Sequence, residues 1–365
     1  MKITYSILAI LFVLNIIGCS SIRNQNTLIP FYIGTTSQAI YTALFDTVSG
    51  QLSEPFEAAK LLKPSFIDIS PDNSFLVSVS QTESSLSSYI HIYLFHTDGI
   101  LIETNSINSR GASPCYVSAN NKQIFWANYL GATTGMASVN DTIKHIDVSL
   151  HSGTGPDSSR QNAPHAHFAK MDNEDRFLYS TDLGADKIYI YDVSNNTLNP
   201  SNIVNCKSGS GPRHIAFHPN NQIMAVINEL NNTITTYKLD SAGMFTSLLS
   251  TINALPDTVQ TKTTSADIHF SHDGNFCYAS NRGFNSLTIY KVNISTGVLE
   301  NIGSQTEGMN WPRNFVIDPS DSFVLVANQK GDSITIYKRN KKTGLLSMIP
   351  FVMKIPAPTC IRFMN

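Results

Sequence analysis

Arg213, Arg282 and Arg313, with His165, Asp182 and Glu229, occupy matching places in a repeated pattern. The chain has 365 residues, and only 14% of them are charged. One column is the residue after a recurring Pro or Ser anchor: Ser65, Cys115, His165, Arg213, Ala266, Arg313 and Thr359. The other closes the next apolar run: Gln81, Tyr129, Asp182, Glu229, Arg282 and Gln329, usually preceded by asparagine (Asn128, Asn228, Asn281, Asn328). Ionised groups gathered at a partly buried place are costly unless paired or used. Acyl transfer to water is the chemistry such a set supports. Opening a lactone needs an activated water, a stabiliser for the tetrahedral oxyanion and a grip on the rest of the substrate. Glu229 or His165 can take the proton from water if burial and neighbours bring its pKa toward neutrality. Arg213 and Arg282 offer guanidinium forks suited to an oxyanion, a carboxylate or a phosphate. His167, Asp182, His214, Arg313, Asn328 and Gln329 are read as substrate-binding, while the other asparagines read as ties to turn backbone.

Several chemistries find no motif. There is no G-x-S-x-G elbow for a serine acyl-enzyme, no H-E-x-x-H and no dense acidic cluster. No metal is therefore expected. His165 and His167 lie two apart, on one face of a strand, and a divalent ion held between them is the alternative.

The elements that must position these residues are strands. The stretch from Gly209 to Tyr237 reads as a Gly/Pro turn, an alternating strand, a turn at Pro219-Asn220-Asn221, a second strand and a third ending at Tyr237. Period-2 alternation between Pro, Asn and Gly clusters is the strand signature. The unit recurs at Pro64, Pro114, Pro164, Pro212, Ser265, Pro312 and Pro358. Strand-only units at such a period predict an all-β fold, a seven-bladed β-propeller with four-stranded antiparallel blades. The last repeat, Ala357 to Asn365, holds one strand only. The N-terminal Phe31 to Asp46 should supply strands to that last blade, closing the ring and removing an open edge. The first strand of each repeat then lies nearest the axis. The second runs antiparallel to it, so both columns ring one channel mouth.

Residues 1–18 read as a signal peptide: Lys2 is the positive end, and Ile7 to Ile17 is apolar apart from Asn15 but too short to span a bilayer. Ile16-Ile17-Gly18-Cys19 resembles a bacterial lipobox, with Cys19 the lipidated residue, 19–29 a tether and 30–365 the propeller domain. A lipid anchor on Cys19 implies a bacterial cell-envelope lipoprotein, periplasmic or at the outer membrane, anchored without spanning. A formal net charge of -2 gives no reason to expect nucleic acid. Cys115, Cys206, Cys277 and Cys360 lack metal or redox spacing and read as small buried hydrophobes, although export would permit disulfides. A closed ring has few free edges, so a monomer is expected.

The run from His151 to Val193, together with GSGPRHIAFHP, INELNN, SADIHFSHDGNFCYASNRG and PRNFVIDPSDSFVLVANQ, resembles the seven-bladed β-propeller lactonase family, which includes propeller-type 6-phosphogluconolactonase and carboxymuconate-lactonising cyclase. The resemblance covers the chain after the signal. It implies a cofactor-independent site with its histidine at His165, its arginines at Arg213 and Arg282, and its acid at Glu229. The function it implies is hydrolysis of a sugar or phosphosugar lactone. The alternatives are a muconate-type cycloisomerase, in which arginines bind carboxylates, and a non-catalytic envelope propeller binding a carbohydrate or protein. An exported protein would not meet a cytoplasmic phosphosugar, and Gln81 leaves one side of the mouth less charged than in relatives.

Overall fold

A computed structural model describes residues 27–139, 143–256, 259 and 261–364. Residues 1–18, read above as a signal peptide, and Cys19 lie outside them. Seven four-stranded antiparallel sheets make up the fold. Blades 1 to 7 are numbered here by their innermost strands: Ile67–Ile69, Pro114–Ala119, Ala166–Met171, Pro212–Phe217, Thr264–Phe270, Pro312–Ile317 and Pro358–Phe363. Blade 7 takes its other three strands, Leu28–Thr35, Ala39–Asp46 and Phe56–Lys60, from the start of the chain. Phe31 pairs with Phe363 and Ile33 with Ile361, so the two ends of the chain seal the ring by strand pairing. Leu28 and Ile29, expected in the tether, already belong to the first strand.

The apolar faces of successive blades pack on one another. Phe31, Phe45, Phe323 and Phe363 meet between blades 6 and 7, and burying each such ring stabilises by roughly 1.5–3 kcal/mol. Tyrosine hydroxyls add cross-links. Tyr179 donates to the Gly243 carbonyl of the next blade, and Tyr278 likewise to Gly344. Both glycines have positive φ, +85° and +73°, a conformation that side chains resist. Cys115, Cys206, Cys277 and Cys360 are free thiols, and burial raises the pKa of all four.

What positions the site is a bulge repeated near the start of the inner strands. Pro114 pairs with Asn128 and Tyr116 with Ala127, leaving Cys115 unpaired. Arg213 is skipped in the same way between Pro212 and His214, and Arg313 between Pro312 and Asn314. An extra residue turns the strand and re-aims its side chain.

Candidate active site

Blade 3 enters two residues later than the anchor Pro164 predicts. Ala166 pairs with Asp182 just as Pro212 pairs with Asn228, and the bulged residue is His167. The register therefore puts His167, not His165, in the column of Arg213. His165 instead matches Gly211: its carbonyl accepts from Leu183 N–H as that of Gly211 accepts from Glu229 N–H. Leu183, not Asp182, shares the column of Glu229. His165 still reaches the mouth, on the rim one step above the bulges.

Glu229 is the hub. Its Oε2 lies 2.9 Å from Arg213 Nε and 2.9 Å from Arg282 Nη2, and its Oε1 accepts from Arg160 Nη2 at 2.7 Å. The Arg213 contact is close enough for an ion pair, but its N–H is not aligned for a hydrogen bond. Burial alone would raise the Glu229 carboxyl, yet Arg282, Arg213 and Arg160 hold it well below the usual carboxylate range. The expectation that its pKa moves toward neutrality is corrected: both oxygens face guanidinium groups, which makes Glu229 a weak base and a strong counter-ion.

The positive charge exceeds the negative. Arg313 is half-buried and, among the described residues, makes no hydrogen bond or ion pair. Burial and the neighbouring Arg282 pull it down to about 10, and burial with Arg282 takes Arg213 to about 9. Three guanidiniums thus share one carboxylate, and that of Arg313 stands beside them without an ion pair. A buried excess of this kind favours binding an anion.

His165 stacks on Tyr129, with ring centroids 4.3 Å apart and planes 4° from parallel. Its Nδ1 lies 2.9 Å from the Tyr129 carbonyl, which can only accept, so Nδ1 carries a proton and Nε2 is the nitrogen that holds the lone pair in the neutral tautomer. The Tyr129 hydroxyl accepts from Arg160 Nη2 at 3.1 Å, tying this histidine to the Glu229 cluster. His167 is buried, and burial with Arg213 and His214 lowers it well below the ordinary histidine value. Among the described residues its Nδ1 has no hydrogen-bond partner, nor has the buried Ser65 Oγ in the same column. Among the described residues no group of three or more His, Cys, Asp or Glu side chains could hold a metal ion.

Three expected substrate contacts are structural instead. Asp182 is fully buried and accepts from the amides of His165 and Ala185 and from His151 Nδ1, so it holds the loop that carries His165. Asn328 donates to Thr335 and accepts from the Asn310 amide, and the other asparagines of its column likewise donate to a threonine hydroxyl. His214 bonds to Asp267 and Arg213 beneath the mouth. Gln329 is half-buried beside Thr36.

Arg160 and Trp311 were not read from the sequence. Arg160 sits on the segment between the last strand of blade 2 and the first of blade 3, outside any period. Asp157 fixes it by accepting from the amides of Ser159 and Arg160. Trp311, at φ +62° just before an anchor proline, lies 5.9 Å from the Arg282 guanidinium, with Lys330 Nζ 3.3 Å from its ring centroid. The tryptophan stood next to Pro312 and was legible there; the loop arginine carried no signal.

Residues 28–363 match the family described as "Lactonase, 7-bladed beta-propeller". The chain is 32% identical over 346 residues to the 6-phosphogluconolactonase of Bacillus subtilis, covering 92% of this chain and 98% of that one. It is 35% identical over 298 residues to the 6-phosphogluconolactonase of Formosa agariphila, covering 78% and 83%. The solved structure of a Lactobacillus plantarum protein superposes with a TM-score of 0.85 at 30% identity, covering 93% of this chain and 100% of the other. Ring, register and sequence agree, and the chain belongs to the seven-bladed β-propeller lactonase family.

Proposed function

We propose that the protein hydrolyses a sugar lactone bearing an anionic substituent, the class to which the lactone named in its 6-phosphogluconolactonase relatives belongs. The observation that carries this reading is the guanidinium excess: Arg160, Arg213 and Arg282 share Glu229, and Arg313 makes no ion pair among the described residues.

His165 Nε2 takes a proton from water as the water oxygen attacks the lactone carbonyl carbon. The carbonyl π electrons move onto oxygen, and Arg213 and Arg282 stabilise the charge, held in place by Glu229. When the intermediate collapses, the ring C–O bond breaks and His165 returns its proton to the leaving oxygen. The product is a hydroxy acid, which loses its proton to solvent. Arg313 holds the anionic substituent. Tyr129 keeps the His165 ring in one orientation and one tautomer.

The test is acid release from glucono-δ-lactone and from its 6-phosphate, each corrected for spontaneous opening. The phosphorylated lactone should turn over faster, and Arg313→Ala should abolish that preference. No turnover of either lactone by the wild type would overturn the reading. Loss of diene absorbance from a muconate would replace it with a cycloisomerase, for which the arginine excess would serve two carboxylates.

Residues 1–18 are proposed to export the chain and Cys19 to carry its lipid, which would set the substrate outside the cytoplasm.

A further inference from the structure

Directly below the bulge column, the registers set a second ring of seven: Phe66, Tyr116, Phe168, His214, Asp267, Asn314 and Cys360. Phe66, Tyr116 and Phe168 pack in sequence, with ring centroids 4.2 and 4.6 Å apart. The other side of the ring is polar. His214 Nδ1 lies 2.7 Å from Asp267 Oδ1, while Asp267 Oδ2 accepts from Asn314 Nδ2 and His269 Nε2. Asn314 Oδ1 accepts in turn from the Ile361 amide. A hydrogen-bonded belt thus crosses blades 4, 5, 6 and 7.

The belt ends at the site. His214 Nε2 lies 3.1 Å from Arg213 Nη1, which also donates to the Ala266 carbonyl. A guanidinium only donates, so His214 Nε2 must accept, and its proton must sit on Nδ1, facing Asp267. His214 is 3% exposed and Asp267 2%, so the pair is held away from bulk solvent. With Nη1 fixed by two acceptors and Nε beside Glu229, the plane of the Arg213 guanidinium is determined.

We propose that His214, locked in its Nδ1–H tautomer by Asp267, is a positioning residue that aims Arg213 into the mouth. This rests on the lactonase reading for its kinetic readout, although the tautomer does not. Asp267→Asn keeps an oxygen for Asn314 and His269 and turns an NH₂ toward His214 Nδ1. Nδ1 must then accept, the proton moves to Nε2, and two donors face each other at Arg213.

The test uses ¹⁵N-histidine spectra and lactone kinetics on the full propeller. Wild-type His214 should show an unprotonated Nε2, and Asp267→Asn a protonated one. In Asp267→Asn and in His214→Leu, kcat should fall about ten- to a hundredfold, the scale for one lost hydrogen bond to a charged group. His214→Gln, which returns an acceptor near Nε2, should recover most of that loss. If Asp267→Asn fails to fold, the His214→Leu and His214→Gln pair decides. Should the wild type turn over no lactone, calorimetric binding of gluconate to the same variants reads the aim of Arg213 instead. A protonated Nε2 in the wild type, or folded variants indistinguishable from it in rate and in gluconate binding, would overturn the proposal.

Discussion

Arg160 donates to Glu229 at 2.7 Å across 69 positions of sequence, so a loop side chain completes a carboxylate cage whose other members stand on inner and second strands. The same Nη2 reaches the Tyr129 hydroxyl. Arg160→Ala should therefore reduce kcat/KM on a lactone roughly ten- to a hundredfold, the scale of a hydrogen bond between charged groups. Initial rates on the purified variant check this. An unchanged value would mean that the loop arginine is only a surface tie.

Removing the hub has a larger effect. Glu229→Gln leaves buried guanidiniums without their counter-ion and should destabilise by about 3–5 kcal/mol. The acid response should change as well. Because the folded state holds Glu229 below its ordinary value of 4.5, its contribution is full above that pH and is lost as pH falls toward the lowered value. Chemical denaturation at a series of acid pH values should show a steeper loss of stability for wild type than for Glu229→Gln. Parallel curves would refute the cage.

Anions should stabilise the fold in the absence of turnover. Binding at a hundred times Kd adds about 2.7 kcal/mol, which for a domain of this size is several degrees in Tm. Gluconate and inorganic phosphate should raise Tm, glucose should not, and Arg313→Ala should blunt the effect. Equal shifts with glucose would point away from the arginines.

His165→Gln should lower kcat by about 10²- to 10⁴-fold, the span of a positioned general base, with little change in melting temperature because the ring is only half-buried. Gly184→Ala approaches the same histidine from behind: a Cβ there would meet the Ala163 carbonyl and the His165 amide. It should displace the rim and lower kcat together with Tm. Full activity in both variants would exclude His165 from the chemistry.

Cys19→Ala should abolish labelling by a radioactive fatty acid and release the protein from membranes into the soluble fraction. Persistent membrane association of the unlabelled variant would rule out a lipid anchor at that cysteine.

The ring was legible because each blade repeats a period-2 strand pair between turn residues, and seven anchors leave little freedom in the count. The closure of blade 7 followed from a last repeat one strand long. Arg213, Glu229, Arg282 and Arg313 were legible as columns because a shared backbone register carries them. The offset in blade 3 was not: Pro164 mimics an anchor, while the strand starts two residues later at Ala166. That slip moved His165 and Asp182 out of their assigned columns. Asn328 was misread because its polar type does not reveal that Thr335 engages it. Arg160 was invisible, since a non-periodic loop gives no way to know which blade it leans over.

The pairing of Phe31 with Phe363 has a consequence for biosynthesis. The clasp joins the first described strand to the last, so a growing chain cannot fasten its wheel until that last strand has been made. The site draws on strands from the middle blades, whose mutual spacing is set only by the finished circle. Blades 1 to 6 can each pair their own strands first, and closure of the circle is left to the last strand made.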